Sequence, residues 1–298
     1  MATASPTTAP DPLEPAAAPA ASLPDLTLIQ RLVLNLRAAR ARAYVRVVAT
    51  GRELSWLAFE VGLPILSAAA YVFIYEALGA PPRYTGFVLL GSAMTAYWMN
   101  VLWAMASQFY WEKQSGTLEI YFLAPASRVA LLLGMASGGI FMSTSRAAST
   151  LIAGSFLFGV RYEVVSWPLA ILAFVLTLAA LYCLGMLFSS VFLMYGREAW
   201  HMASALQEPV YLLSGFYFPV RALGFWAAMG ASLIPLTLGL DAMRQLMFGA
   251  PDSAFLPVGW ELLGLAVMTV VYFLLALRSL AAMEHLAKRE GRLTLKWQ

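Results

Sequence analysis

Glu112–Arg128, EKQSGTLEIYFLAPASR, is the longest polar interruption between two very apolar segments, and its reading sets the architecture on either side. Gly116 or Thr117 can cap a short helix here, and Glu119 falls in the first turn, where a carboxylate suits the positive helix end. Pro125 followed by Ser127 stops it. Leu118, Tyr121 and Phe122 then share one face. The pattern predicts a short helix on the cytoplasmic membrane surface between two spans, shaped to be gripped by another protein.

Outward from this stretch the chain is apolar. Hydrophobic residues make up 61% of its 298 residues and charged residues 12%. Several runs exceed the roughly 20 residues needed to cross a bilayer as a helix. The fold class is therefore read as an all-α polytopic membrane protein. Spans are expected over Leu54–Leu78 with a kink at Pro64, Tyr84–Tyr110, Val129–Val160, Pro168–Met194 and Trp260–Ala282.

The segment His201–Phe248 is apolar for about two crossings, so the count turns on charge. With six spans, the cations before the first span (Arg31, Arg37, Arg40, Arg42, Arg46, Arg52), Lys113, Arg128, Arg197 and the basic end (Arg278, Lys288, Arg289, Arg292, Lys296) all lie on the cytoplasmic side. Only Arg83, Arg161, Arg221 and Arg244 fall outside, with Arg146 in the membrane. The positive-inside rule thus favours six spans, both termini cytoplasmic, and a re-entrant hairpin between spans five and six. Gly215, Pro219 and Gly224 supply its break. Residues 1–25, rich in Ala, Pro and Thr, read as a disordered tail, 26–52 as an amphipathic interfacial helix, 53–282 as the six-span domain and 283–298 as a basic cytoplasmic tail. In the interfacial helix Ile29, Leu32, Val33, Leu36, Ala43 and Val47 recur at helical spacing, with Arg31, Arg42 and Arg46 on the other side.

Two motifs carry a family resemblance. The acidic Glu112, then Gly116-Thr117-Leu118-Glu119, an apolar run and Ala124-Pro125 resemble the coupling region of the permease subunits of type 2 ABC exporters. Leu213-Ser214-Gly215-Phe216-Tyr217-Phe218-Pro219, then Ile234-Pro235-Leu236-Thr237 through Met243-Arg244, resemble that family's late signature. The resemblance covers about Leu26–Ala282 and implies the same six-span arrangement with its re-entrant hairpin. It also implies an inner-membrane subunit of an ATP-driven exporter, with ATP and magnesium held on two separate ABC ATPase subunits. A second permease copy, identical or closely related, would complete the path. On this reading Glu112, Gly116, Thr117, Leu118, Glu119, Tyr121 and Phe122 form the ATPase-coupling surface. Ser214, Gly215, Phe216, Phe218, Pro219 and Pro235 would form an outer gate.

The residues offer no other chemistry. The only lysines, Lys113, Lys288 and Lys296, follow no phosphate-binding glycine loop. His201 and His285 lack metal-ligating neighbours, the four aspartates are scattered, and Cys183 stands alone. Neither a metal, a cofactor on this chain, a nucleic-acid partner nor an enzymatic activity is expected. Ionisable residues within spans are costly unless paired or hydrated. Arg146, among Ser143, Thr144, Ser145 and Ser149, is one, with Glu60 and Glu208 as its expected counter-charges. Tyr97, Asn100 and Trp103 lie at helical spacing along the second span, where they face either a path or neighbouring helices. Gly134, Gly138 and Gly139 are expected to permit close helix approach. An amphipathic or lipid-like substrate suits so apolar and aromatic a domain. An ion-driven secondary transporter would show internal repeats with broken helices in both halves, and none is found. A non-transporting membrane scaffold is the other alternative, although the surface helix with Glu112, Lys113 and Glu119 is more than a passive anchor requires.

Overall fold

The structure, a computed structural model, describes residues 27–51, 54–116, 127–195 and 197–289. The expected tail at 1–25 and the coupling residues Thr117, Leu118, Glu119, Tyr121 and Phe122 lie outside them. The described residues form ten α-helices and no strand: α1 (Leu28–Gly51), α2 (Leu54–Ala77), α3 (Arg83–Met99), α4 (Gln108–Gln114), α5 (Arg128–Phe158), α6 (Trp167–Tyr195), α7 (Arg197–Leu213), α8 (Phe225–Ala231), α9 (Pro235–Phe248) and α10 (Val258–Arg289). A π-helix, Asn100–Met105, joins α3 towards α4. Helix limits follow local chemistry. Ser127 caps α5 by accepting from the Ala130 amide, Gly159 ends that helix in the left-handed region, and Pro235 opens α9 where no amide is needed.

Among the described residues Arg83–Gln114, Trp167–Phe192 and Val258–Ala282 are long and apolar enough to cross a membrane, three stretches in all. The number becomes four if α8 and α9, bent by 111° at their junction, count as one span. The six expected spans are therefore recovered only in part by length and composition. α5 is long enough, but Arg146 and its Ser, Thr and Gly content dilute it. α7 carries His201, Gln207 and Glu208, and α2 offers a shorter apolar run, Gly62–Ala77. α10 continues through Arg289, into the stretch expected as a tail.

Small residues set how the helices meet. α3 and α5 run antiparallel, with the Asn100 side chain against Gly139, Ser143 donating to the Ala96 carbonyl and the Tyr97 hydroxyl donating to Thr144 at 2.9 Å. α6 runs parallel to α3, bringing Gly185 against Val101 and Tyr182 to within hydrogen-bond distance of Asn100. The core follows α3 inward through Phe87, Leu90, Tyr97, Trp98, Leu102 and Met105, meeting Leu181 and Met186 of α6 and Leu240 and Met243 of α9.

α1 packs along α5. Its Ala39 and Ala43 backbones sit on Gly134 and Gly138, one turn apart in the same register on both helices, so α1 lies lengthwise along the first half of α5. Its apolar side chains Leu28, Ile29, Leu32 and Leu36 remain exposed, whereas Asn35, Arg42 and Arg46 are half-buried. Of the polar side Arg42 and Arg46 are half-buried and Arg31 is exposed, and of the apolar side Ala43 and Val47 are half-buried as well. Small residues at i and i+4 on both helices are what permit this approach.

A Gly134→Leu substitution would drive a side chain into the Ala39 backbone. It is expected to cost about 1–3 kcal/mol and to open α1 to trypsin at Arg37 and Arg40. Gly62→Ala, where a methyl meets nothing within 4 Å, is the control; thermal unfolding and proteolysis of both in mild detergent check this.

Candidate functional site

The functional candidates gather at two ends of the bundle. At one end α4 finishes at Gln114, Ser115 follows, and Gly116 turns the chain with φ +73°. The Glu112 carboxylate points into the protein here. It is buried, forms an ion pair with Arg42 of α1 and accepts from the Gln108 amide. On the far side of the same polar stretch the Ser127 amide donates to the Asn35 side chain, also on α1, at 2.8 Å. A single helix therefore holds both ends of the segment 116–127. Asn35 was not singled out by sequence, because its partner lies 92 positions away.

At the opposite end lies the Ser214–Pro219 turn. Gly215 takes φ +66°, in the left-handed region that a side chain resists. Ser214 and Phe216 are fully buried, and Phe216 packs edge-on to Tyr211. Tyr217 stacks on Tyr71 with ring centroids 4.0 Å apart, and the Tyr75 hydroxyl donates to the Tyr217 carbonyl. A Cβ on Gly91 of α3 would overlap the Phe216 carbonyl, so α3 and the turn are in backbone contact. Pro219 precedes a 3-10 turn, Val220–Leu223, that leads to α8, and Pro235 is buried at the start of α9.

The centre of this end is Arg244. The charge count treats it as one of the outer cations; it is 1% exposed. Its guanidinium donates to the carbonyls of Phe218 (3.0 Å), Phe216 (2.9 Å) and Phe87 (3.3 Å) and lies 5.2 Å from the centre of the Phe87 ring. Irregular backbone carbonyls among apolar helices need such a donor, and the planar fork of arginine serves several at once. A second polar group sits beside it. Asp241 accepts from the Phe255 amide at 2.7 Å, and the Gln245 amide bridges the Leu256 carbonyl and the fully buried Glu261. Sequence reading missed Asp241, Gln245 and Glu261; the i, i+3, i+4 spacing of Asp241, Arg244 and Gln245 on α9 was the available signal, whereas Glu261 comes from α10.

The remaining candidates are engaged with neighbouring helices. Tyr97 is 1% exposed, edge-on to Phe174, and Trp103 donates to Gln207 at 2.9 Å and packs against Trp200. The π-turn between them brings the Ala106 amide to the Val101 carbonyl, and Ser107 takes up the Trp103 carbonyl. Arg146 is half-buried on α5, within electrostatic reach of Arg46 and Tyr182. Glu208 is exposed beside Tyr211 and Tyr217 and makes no ion pair among the described residues. The side chain of Glu60 lies outside the described residues.

Two outcomes follow. Arg244→Lys keeps the charge but cannot reach three carbonyls, and each one lost costs about 1–3 kcal/mol, so the variant should unfold at clearly lower denaturant in detergent. For Arg42→Ala and Glu112→Ala, a double-mutant cycle on the same unfolding signal should give a coupling of about 1–3 kcal/mol. A coupling near zero would mean that the ion pair does not hold α1 to α4.

Residues 46–248 match the family described as ABC-2 type transporter. Over 198 residues, 66% of this chain and 74% of the relative, the sequence is 25% identical to the inner membrane transport permease YadH of Escherichia coli strain K12. The YadH of Shigella flexneri is similar to the same extent. The matched region begins at Arg46 on α1, one turn beyond Arg42, and ends with α9, so it takes in the polar stretch after α4, the Ser214–Pro219 turn and Arg244. The chain belongs to the ABC-2 type transporter family.

Proposed function

We propose that this chain is the membrane-spanning subunit of an ATP-driven exporter that moves an amphipathic or lipid-like substrate outward, using separate ATPase subunits. Family membership and the similarity to a transport permease support a transporter subunit. The observation that carries the finer reading is the grip of α1 on both flanks of the segment 116–127, through Arg42–Glu112 and Asn35–Ser127. A surface segment that merely joined two helices would need no such brace. One that takes a push from a docked ATPase must have its displacement passed into the bundle.

In this scheme two ATPase subunits, carrying the ATP and magnesium, dock under Thr117–Phe122 of two permease copies at the cytoplasmic side of the inner membrane. ATP closes the ATPase pair and displaces the segment. Glu112 serves as the internal anchor of the lever, and Glu119, Tyr121 and Phe122 make the contact with the partner. α8 and α9 form the re-entrant hairpin. Phe225 and Phe255 meet at its mouth, with ring centroids 6.0 Å apart, while Tyr272, well inside α10, donates to the Leu233 carbonyl at its tip. The Ser214–Pro219 turn, braced by Arg244, is then the outer gate.

Glu119→Arg reverses charge at the docking surface while leaving Glu112 and Ser127 in place. Affinity capture from native membranes in mild detergent should recover an ATPase with the wild-type chain and lose it with this variant. Transport of a fluorescent lipid in reconstituted vesicles should fall at least about tenfold, the equivalent of one charge-assisted contact. Transport that survives ATP depletion but stops with a proton uncoupler would instead make the chain an ion-driven transporter.

A further inference from the structure

At the end of the bundle where α2 turns into α3, a cavity of about 750 Å³ lies between the α2–α3 turn, the α5–α6 connection and the end of α9. Its size falls in the ~300–1,000 Å³ range of small-molecule sites. Four charged side chains line it, one from each of four positions: Glu76 at the end of α2, Arg83 at the start of α3, and Arg161 and Glu163 in the α5–α6 connection. None of the four forms an ion pair with another, among the described residues. The Arg83 Nε is buried and has no hydrogen-bond partner. α3 begins in this wall without a side-chain cap, which adds the positive end of a 17-residue helix to the two guanidinium groups.

The frame is fixed in advance. The Glu163 amide donates to the Met247 carbonyl at 3.0 Å and the Val165 amide to the Leu246 carbonyl at 2.8 Å, tying the connection to the end of α9. The Glu163 carboxylate lies beside Gly249. Tyr75, Phe158 and Phe248 give the cavity an aromatic floor. Just beyond its rim the flanks of α2 and α5 are apolar and open, with Phe73, Leu78 and Leu157 exposed and Phe156 90% exposed.

From this juxtaposition we propose that the cavity binds the zwitterionic headgroup of a membrane phospholipid of the phosphoethanolamine type. Arg83 and Arg161 hold the phosphate, Glu76 and Glu163 take the ammonium group, and the acyl chains lie along the exposed face of α2 and α5. Equal numbers of cations and anions in one cavity suit a ligand carrying both charges better than an anionic lipid. The site does not depend on the transport reading, since it makes no use of the coupling stretch or of the Arg244 turn.

The test is native mass spectrometry of the full chain released from mild detergent, titrated with dioleoyl phosphatidylethanolamine or dioleoyl phosphatidylglycerol. The wild type should favour the ethanolamine lipid by about tenfold, the difference made by one charge-assisted contact. Arg83→Gln with Arg161→Gln should weaken both lipids by at least that factor. Glu76→Lys with Glu163→Lys should invert the preference towards phosphatidylglycerol, a gain that misfolding cannot imitate. No preference in the wild type, or no inversion in a Lys pair that keeps the wild-type unfolding midpoint, would overturn the proposal. Soluble glycerophosphoethanolamine binding as tightly as the lipid would remove the membrane as the source.

Discussion

The structure depends on one buried cation. Between α7 and α8 the chain leaves helical geometry while still enclosed by helices, and the carbonyls of Phe216 and Phe218 point at no backbone amide. In a low-dielectric surrounding each such group costs several kcal/mol if left bare. Arg244 donates to both and to the carbonyl of Phe87, and the face of the Phe87 ring offsets part of the cost of burying its charge. α3, the turn and α9 are thereby tied at a single point. The backbone contact of Gly91 with Phe216 depends on the same tie, because α3 can approach the turn so closely only where no side chain intervenes.

At the other end the joints are made by side chains. α1 turns Asn35, Arg42 and Arg46 towards protein and Leu28, Ile29, Leu32 and Leu36 outward, an arrangement that a helix on a water-soluble domain would not favour. With lipid as the outer solvent, exposing Leu32 and Leu36 costs nothing, while Asn35 and Arg42 gain by finding Ser127 and Glu112. The close seat of Ala39 on Gly134 supplies dispersion along the contact, and the polar pairs fix its register.

Much of this was legible in the sequence, and the gaps have physical causes. Apolar run length located both ends of α2, α5 and α6 and the starts of α3 and α10 to within a few residues, because in a bilayer that length is itself the constraint. The glycines of α5 announced close packing, which Gly134, Gly138 and Gly139 each make. The burial of Arg244 was not legible. A charge count assigns a residue to whichever side its nearest span end faces, and it cannot register whether the side chain is enclosed by helices. Amphipathic spacing in α1 divided the helix into two faces but could not say which one meets protein. The charged cavity draws on Glu76, Arg83, Arg161 and Glu163, from two places far apart in the chain, and no local pattern joins them.

Between the two ends runs a continuous series of contacts. It passes from Ser127 and Asn35 to α1, by Ala39 to α5, by Gly139 and Thr144 to Asn100 and Tyr97 of the α3 stretch, and by Gly91 to the Phe216 turn. Contiguity alone does not transmit a displacement; some element on the route must have two arrangements. The π-helix at Asn100–Met105 is the one described element on this route with a neighbouring alternative, since a π-turn and an α-turn differ by one residue of register. Converting it to α-helix would rotate the α4 side by about 100° relative to α3. Such a rotation would carry Glu112 away from Arg42 while Tyr97 stayed on Thr144. The ion pair at one end and the wide turn in the middle therefore lie on one length of chain, and a change of register in the turn would bear on the ion pair.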